Sequence, residues 1–445
     1  MFKFHSGLYT DVRIEKKIDT IIDFTQETLD NITSRETQGA FIRVFDGKRW
    51  YYSSITDLEN IQNEIDNLSK LTTNNPEIEN NPQIKKIPVN KKELFKYENS
   101  DVRKIPVEKK VNVLKTYFSF MINQPLISMW KASYYDQYVL KEFYSSKGTE
   151  LKFDKQYCGV RFEMNFKKDN SKFDEVYSYG TENFNDLYNI GRKLAKSISK
   201  SVDFLLNSKD IKKGNYKVIL SPMAAGIFAH ESFGHKSEAD FMLNDEEMKN
   251  EWKIGKQVGP EILSIIDDGN IDGIGYTPFD DEGISSDPVY LIKNGVLAGR
   301  LHSSRTAGEL EENTTGNARA CGFTFEPIVR MTTTYIKPGK LSKKELFESI
   351  DEGVYIDTVK HGSGMSTFTM APSLAYYIKD GQIQYPVKIS VITGNVFETL
   401  QKIDGLSNKL KIISFIGGGC GKMEQYPLPV GFGGPYVRIS DMKVL

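Results

Sequence analysis

The chain has 445 residues, enough for two or three domains with substantial cores. Hydrophobic residues make up 39% of it and charged residues 26%, the balance of an ordinary globular protein. A formal net charge of −1 gives no global attraction to nucleic acid or anionic membrane, and no run of about 18 apolar residues offers a membrane span.

The first twenty residues contain no apolar core followed by a small-residue cleavage site, so no secretory signal is read there. Three cysteines exclude a disulfide framework. The expectation is a cytoplasmic protein. With only five histidines, each can be weighed singly.

Residues 16 to 34 read as a helix. "AFIRVFDGKRWYYSS" predicts a hairpin around Asp46-Gly47. "TDLENIQNEIDNLSKL" predicts an amphipathic helix opened by a Thr56/Glu59 capping box. The polar, Asn- and Pro-rich stretch at about 72–92 is expected to be a loop that buries little. Residues 107 to 123 look helical. Strands rich in Tyr, Val and Phe run from Ile127 to Phe166, broken at Lys147-Gly148, and a long helix closes this half. Past residue 258 come short strands with turns at Lys293-Asn294-Gly295 and Lys379-Asp380-Gly381, interrupted by one helix with Ser342 as N-cap. The fold class is α+β. An N-terminal mixed domain over 1–208, with antiparallel strands and long helices, precedes a mostly antiparallel β domain over 209–445 that carries a metal-binding helix.

That helix holds the chemistry. Ser221-Pro222 supplies an N-cap and a first-turn proline, and "MAAGIFAHESFGH" follows. In the zinc-protease pattern H-E-x-x-H the histidines are four apart, about 40° around the helix, and reach one metal. His230 and His235 are five apart, about 140° on a regular helix. A π-bulge, or a break at Gly234, would realign them. Glu231 is suited to take a proton from a water beside the metal, and Phe228 and Phe233 are expected to form an apolar wall. Candidates for a third ligand are Glu238, Asp240 and the other cysteines and histidines. Cys420 stands out, with glycine at 417, 418, 419 and 421. Cys158 reads as buried filler. Asp280-Asp281-Glu282 and Asp267-Asp268-Gly269 read as solvated turns.

With both segments in hand, the sequence resembles the TldD/PmbA family of metalloproteases, on the catalytic TldD side. "HESFGHKSEADF" matches its H-E-x-x-x-H pattern, and "GGGCGKMEQYPLPVGFGGP" its C-terminal cysteine run. "IIDDGNIDGIGYTPFDDEGI", "TGNAR" and "MTTTYIKPG" add to the likeness, which is strong from about residue 215 onward. Glu424 departs from a position that is often glycine. The resemblance implies a zinc peptidase with His230, His235 and Cys420 as Zn²⁺ ligands and Glu231 as general base. It also implies unfolded or short peptide substrates, including peptide precursors. A dimer is implied too, with an identical chain or a motif-less sister subunit, and neither nucleic acid nor membrane is an expected partner. Two rival readings stand beside it. One is a zinc-stabilised peptide-binding or scaffold subunit without turnover. The other is a carboxylate hydrolase built on Asp280, Asp281 and Glu282.

Overall fold

The computed structural model describes residues 2–445. Tyr9–Thr25 (β1) and Thr28–Phe45 (β2) are the arms of one long hairpin, turning through Gln26 at φ +54°. Residues 16 to 34 are therefore strand and turn, not the expected helix. Ile18, Thr20, Ile21, Ile22 and Thr25 are β-branched, which crowds a helix and suits a pleated surface. Trp50–Ile55 (β3) completes the predicted hairpin, with Trp50 opposite Phe45. The amphipathic helix is Ile61–Lys70 (α1), burying Ile61, Ile65 and Leu68. Its leading turn is capped by Asp57, which accepts from Glu59 N, rather than by Thr56.

The Asn/Pro-rich stretch buries more than its composition predicted. Ile78, Ile84 and Ile87 are all buried, in one cluster with Tyr9 and Phe45. Three isoleucines pin the segment, and Pro82–Lys85 (α2) forms between them. Lys91–Leu94 (β4), Val107–Lys115 (α3), Phe118–Ile122 (α4), Ile127–Ser145 (β5), Glu150–Lys168 (β6), Ser171–Thr181 (β7) and Gly191–Asn207 (α5) follow. The seven strands form one sheet in the order β3-β2-β1-β5-β6-β4, with β7 also on β6. All pairings are antiparallel except that of β4 with β6.

The second half opens with Lys209–Asp210 (β8) and Gly214–Leu220 (β9). β9 lies inside a ten-stranded sheet, antiparallel to Val437–Val444 and parallel to Glu352–Ile356. A six-stranded sheet holds Ile265–Asp267, Thr333–Ile336 and Gly431–Gly434, the last two parallel. Both predicted turns, at Asn294-Gly295 and Asp380-Gly381, connect paired strands. Ser342 and Glu345 form a capping box on the predicted helix. The fold is α+β with strands dominant.

The two halves share a core. Leu194, Ile198 and Phe204 of α5 join Phe162 and Trp130 in a cluster that also takes Ile219, Tyr276 and Tyr355. They also share charges, where a solvated turn was expected. Asp280, Asp281 and Glu282 are all buried. Asp281 faces Lys141 and Arg13, and Glu282 accepts from Arg43 Nη1 at 3.2 Å and from Ser304 N at 2.7 Å. Arg43 also grips Asp11. Asp280 accepts backbone N–H groups of Glu282, Ile284 and Ala318. Burial and the Glu282 charge push the Asp280 pKa far up. Burial alone would do the same to Asp281, but Lys141 and Arg13 hold it well below the usual range. Asp267, also expected in a turn, ends a buried strand and accepts from Asn317, Thr332 and Thr334. An acid triplet looks solvated in sequence because its cations lie hundreds of residues away.

Two outcomes follow for stability. Asp281→Asn leaves Arg13 and Lys141 short of a buried partner and lowers unfolding free energy by about 3–5 kcal/mol in urea titration. Glu175 on β7 is buried and accepts from Ser373 Oγ at 2.6 Å. Burial raises its pKa to about 7, against the hydrogen bond, which lowers it. Its folded pKa exceeds its unfolded one, so the stability of the neutral form is full below about pH 4.5 and is lost as pH rises through about 7. The loss reaches about 3 kcal/mol. Glu175→Gln flattens that dependence, measured as urea midpoints at pH 5 and 8.

Candidate metal centre

β9 delivers the chain to Ser221, whose Oγ accepts from Ala224 N at 3.1 Å and donates to Asp357 O at 2.7 Å. The helix Pro222–Ile227 (α6) starts there. It lies almost on the backbone of Gly431–Gly434, since a β-carbon on Gly226 would sit 2.5 Å from Gly433 N. Phe228–Gly234 then forms a π turn, and His235–Ser237 a 3₁₀ turn. The widening expected from the five-residue spacing is present. At Gly234 a β-carbon would fall 2.1 Å from Met331 Sδ, so glycine lets the wide turn settle against that side chain.

The turn brings the two imidazoles to one side, with ring centroids 5.2 Å apart and planes at 78°. Cys420 arrives on a separate hairpin, Cys420–Lys422 paired with Gln425–Leu428. Its Sγ is 3.5 Å from His235 Nε2. One ligand atom from each of His230, His235 and Cys420 lies within 4.8 Å of the others. Glu231 Oε2 is 3.9 Å from His235 Nε2, on a side chain 31% exposed. Phe228 and Phe233 face the core instead of the site. They are fully buried, one edge-on to Phe368 and the other tilted against Trp252.

Behind the three lies a polar network that inspection of the sequence missed. Glu238 is fully buried and approaches His235 Nδ1 at 3.2 Å. Lys422 bridges Glu238 at 3.0 Å and Asp240 at 2.6 Å, and donates to Val329 O. Glu238 and Asp240, weighed as third ligands, therefore sit on the far side of His235 or on Lys422. The signal was available: on a strand, Lys422 must share a face with Cys420 two residues earlier. Of the remaining cysteines, Cys158 is buried in the first-half core and Cys321 is partly exposed. His5 pairs with Asp66, His302 with Glu312, and His361 is exposed.

Burial would lower the His235 pKa, but hydrogen bonds to Cys420 and Glu238 raise it to about 10. His230 also shifts up, burial being outweighed by the charge and hydrogen bond of Cys420, with the Glu231 charge adding. Burial would raise the Cys420 pKa, and the two histidines instead bring it down to about 5. Thiolate and imidazoles thus form a charge-paired cluster. His230 is 4% exposed and its Nδ1 has no hydrogen-bond partner. A buried nitrogen left so costs about 1–3 kcal/mol. Two nitrogens and a thiolate are donors that zinc favours.

The π turn depends on the missing side chain at Gly234. Gly234→Ala lowers stability by about 1–3 kcal/mol. The same substitution made together with Met331→Ala costs less than the two single losses added, in a double-mutant cycle of thermal unfolding.

Residues 213–445 match the family model described as the PmbA/TldA metallopeptidase C-terminal domain, and residues 10–72 match that family's domain 1. The chain is 32% identical to a Methanocaldococcus jannaschii metalloprotease over 97% of its own length and 96% of that protein's. It is 29% identical to a zinc metalloprotease TldD homolog of Saccharolobus solfataricus, over 98% and 96%. The solved structure of TldE from Thermococcus kodakarensis has the same fold, with a TM-score of 0.76 at 17% identity, covering 98% of this chain and 96% of that one. The matched domains and the full-length relatives place this chain in the PmbA/TldD family of metallopeptidases.

Proposed function

We propose that this metallopeptidase is zinc-dependent and hydrolyses unfolded or short peptides, including precursors that mature by cleavage. His230, His235 and Cys420 are the ligands in this reading, and Glu231 is the general base. The observation that carries it is the convergence of two imidazoles and a thiol within 4.8 Å, with the Glu231 carboxylate 3.9 Å from one of them.

Bound zinc supplies Lewis acidity, polarising a carbonyl and bringing the pKa of water to about 7. Glu231 cannot share its neighbour's role as ligand, because consecutive helical side chains diverge. It is free to accept a proton from water and return it to the leaving amine. Glu238 on His235 Nδ1 fixes the ring and leaves Nε2 toward Cys420, and Lys422 holds Glu238 in turn. In this reading the glycine-rich backbone at 417–421 would supply N–H donors for a developing oxyanion.

An extended peptide has an edge to pair with. Val359–Gly364 ends the ten-stranded sheet, and its Gly362 lies against the Glu231 side chain. Backbone pairing tolerates many sequences, which suits unfolded substrates. Assembly as a dimer, with an identical chain or a sister subunit lacking the motif, belongs to the same reading and rests on the family resemblance.

The test combines bound zinc with digestion of an unfolded peptide. Glu231→Gln keeps about one zinc per chain and loses roughly 10²-fold or more in kcat. Cys420→Ser loses the metal. Zinc with equal, background-level cleavage in wild type and Glu231→Gln would reduce the protein to a zinc-stabilised binding subunit. Full zinc in Cys420→Ser would move the third ligand elsewhere.

A further inference from the structure

One face of the N-terminal sheet turns toward the second half. On it Glu15 pairs across to Lys141, Lys17 to Val139, and Val139 to Lys155. These residues wall a cavity of about 60 Å³, closed on the other side by Thr277, Arg319 and Cys321. Leu428 and Pro429 complete it. They tie it to the metal centre, because Leu428 is the register partner of Cys420. Arg319 donates to Pro429 O at 2.8 Å and to Met331 O, and Met331 packs on Gly234 of the π turn. The cavity thus adjoins the candidate metal centre.

Its charges do not balance. Four cations, Lys17, Lys141, Lys155 and Arg319, face two carboxylates, Glu15 and Asp281. Both carboxylates are engaged by Lys141, and Asp281 by Arg13 as well. Lys155 Nζ has Thr277 Oγ1 at 2.8 Å as its hydrogen-bond partner and no carboxylate within ion-pair reach among the described residues. An ammonium has three donors, so two remain. Arg319 is 2% exposed and is held by backbone carbonyls alone. Neither cation makes a contact ion pair among the described residues; the more distant charges of Asp281 and Glu15 act on Lys155, and those of Asp281, Asp267 and Cys420 on Arg319, so an arriving carboxylate would be the first direct partner of either. Lys155, Gln137 and Tyr157 on its wall are half-buried. A water needs roughly 10–15 Å³ of such space, so the cavity takes a carboxylate with a water or two and no large side chain.

We propose that this cavity receives a carboxylate of the peptide substrate, bound by Lys155 with the Arg319 guanidinium behind it, and so selects peptides with an acidic group near the cleaved bond. The inference rests on the peptidase reading and names its substrate class. Burial, Arg319 and Lys141 press the Lys155 ammonium toward its neutral form against the pull of Asp281 and Glu15, and a bound carboxylate would add to that pull. The carboxylate can belong to an Asp or Glu side chain or to the peptide's C-terminus. The proposal is the same for both, and the two are separable.

The experiment uses zinc-loaded full-length protein and quenched-fluorescent peptides. In matched pairs, Asp is exchanged for Asn at each position around the scissile bond, and a free C-terminus for an amide. Wild type is expected to favour the acidic member of one pair by roughly ten-fold or more in kcat/KM, the scale of a charge-assisted hydrogen bond. A side-chain pair or the C-terminal pair identifies the source. The ratio falls to about one in Lys155→Met and is regained in Lys155→Arg. No preference in wild type, or one that survives Lys155→Met, overturns the inference while leaving the peptidase reading intact. If Lys155→Met fails to fold, the wild-type ratio decides alone. Fluorescence anisotropy with Glu231→Gln gives a second readout. Tighter binding of the acidic peptide without cleavage by wild type would sustain the cavity's role and overturn the peptidase reading. Absence of both overturns both.

Discussion

A helix that presents side chains at i and i+5 to one point must take in an extra residue per turn, and most of this molecule's second half supports that distortion. The π turn at Phe228–Gly234 begins from a capped helix on a central strand. It is clamped by Gly431–Gly434 beneath α6, by Met331 against Gly234, and by the edge strand Val359–Gly364 beside Glu231. Phe228 and Phe233 anchor its outward face in the core. The wide turn forfeits regular helical hydrogen bonding, and close packing on every side compensates. The same clamps bring the Cys420 hairpin to the histidines. Arg330 holds that hairpin by its own backbone, donating to Cys420 O at 2.7 Å.

The second constraint is electrostatic. The N-terminal sheet meets the second half through buried ion pairs, Arg43 with Asp11 and Glu282, and Arg13 and Lys141 with Asp281. Desolvating such pairs returns little net stability, but removing one partner is costly, so they act on orientation more than on affinity. Lys155 and Arg319, at the same seam, have no direct carboxylate partner among the described residues. This cation-rich space adjoins the hairpin that carries Cys420.

Parts of this were legible in the sequence for definite reasons. Turn chemistry at Asp46-Gly47, Asn294-Gly295 and Asp380-Gly381 is local, and so are the caps at Ser221 and Ser342, and all five hold. The N-terminal hairpin was misread because apolar spacing from Ile18 to Ile32 serves either a helix or a half-buried strand. β-branching was the better guide there. The insert at 72–92 was judged by its average polarity, while three isoleucines decide its burial. Asp280, Asp281 and Glu282 looked exposed because nothing nearby in sequence neutralises them.

The sequence by itself determined the chemistry available at the centre. The motif holds two histidines and a carboxylate at a spacing that keeps the histidines from meeting at one point on a regular helix, and one glycine-flanked cysteine lies far downstream. Those are covalent facts, and spacing along a helix follows from backbone geometry alone. Only the tertiary structure decided how the strain is met, by a π turn and not by a break. It also decided that Glu238 stands behind His235, and that the first half supplies cations to a cavity beside the second. These depend on which distant strands come to share a face. That choice is made by the burial of whole sheets, and no local run of residues specifies it.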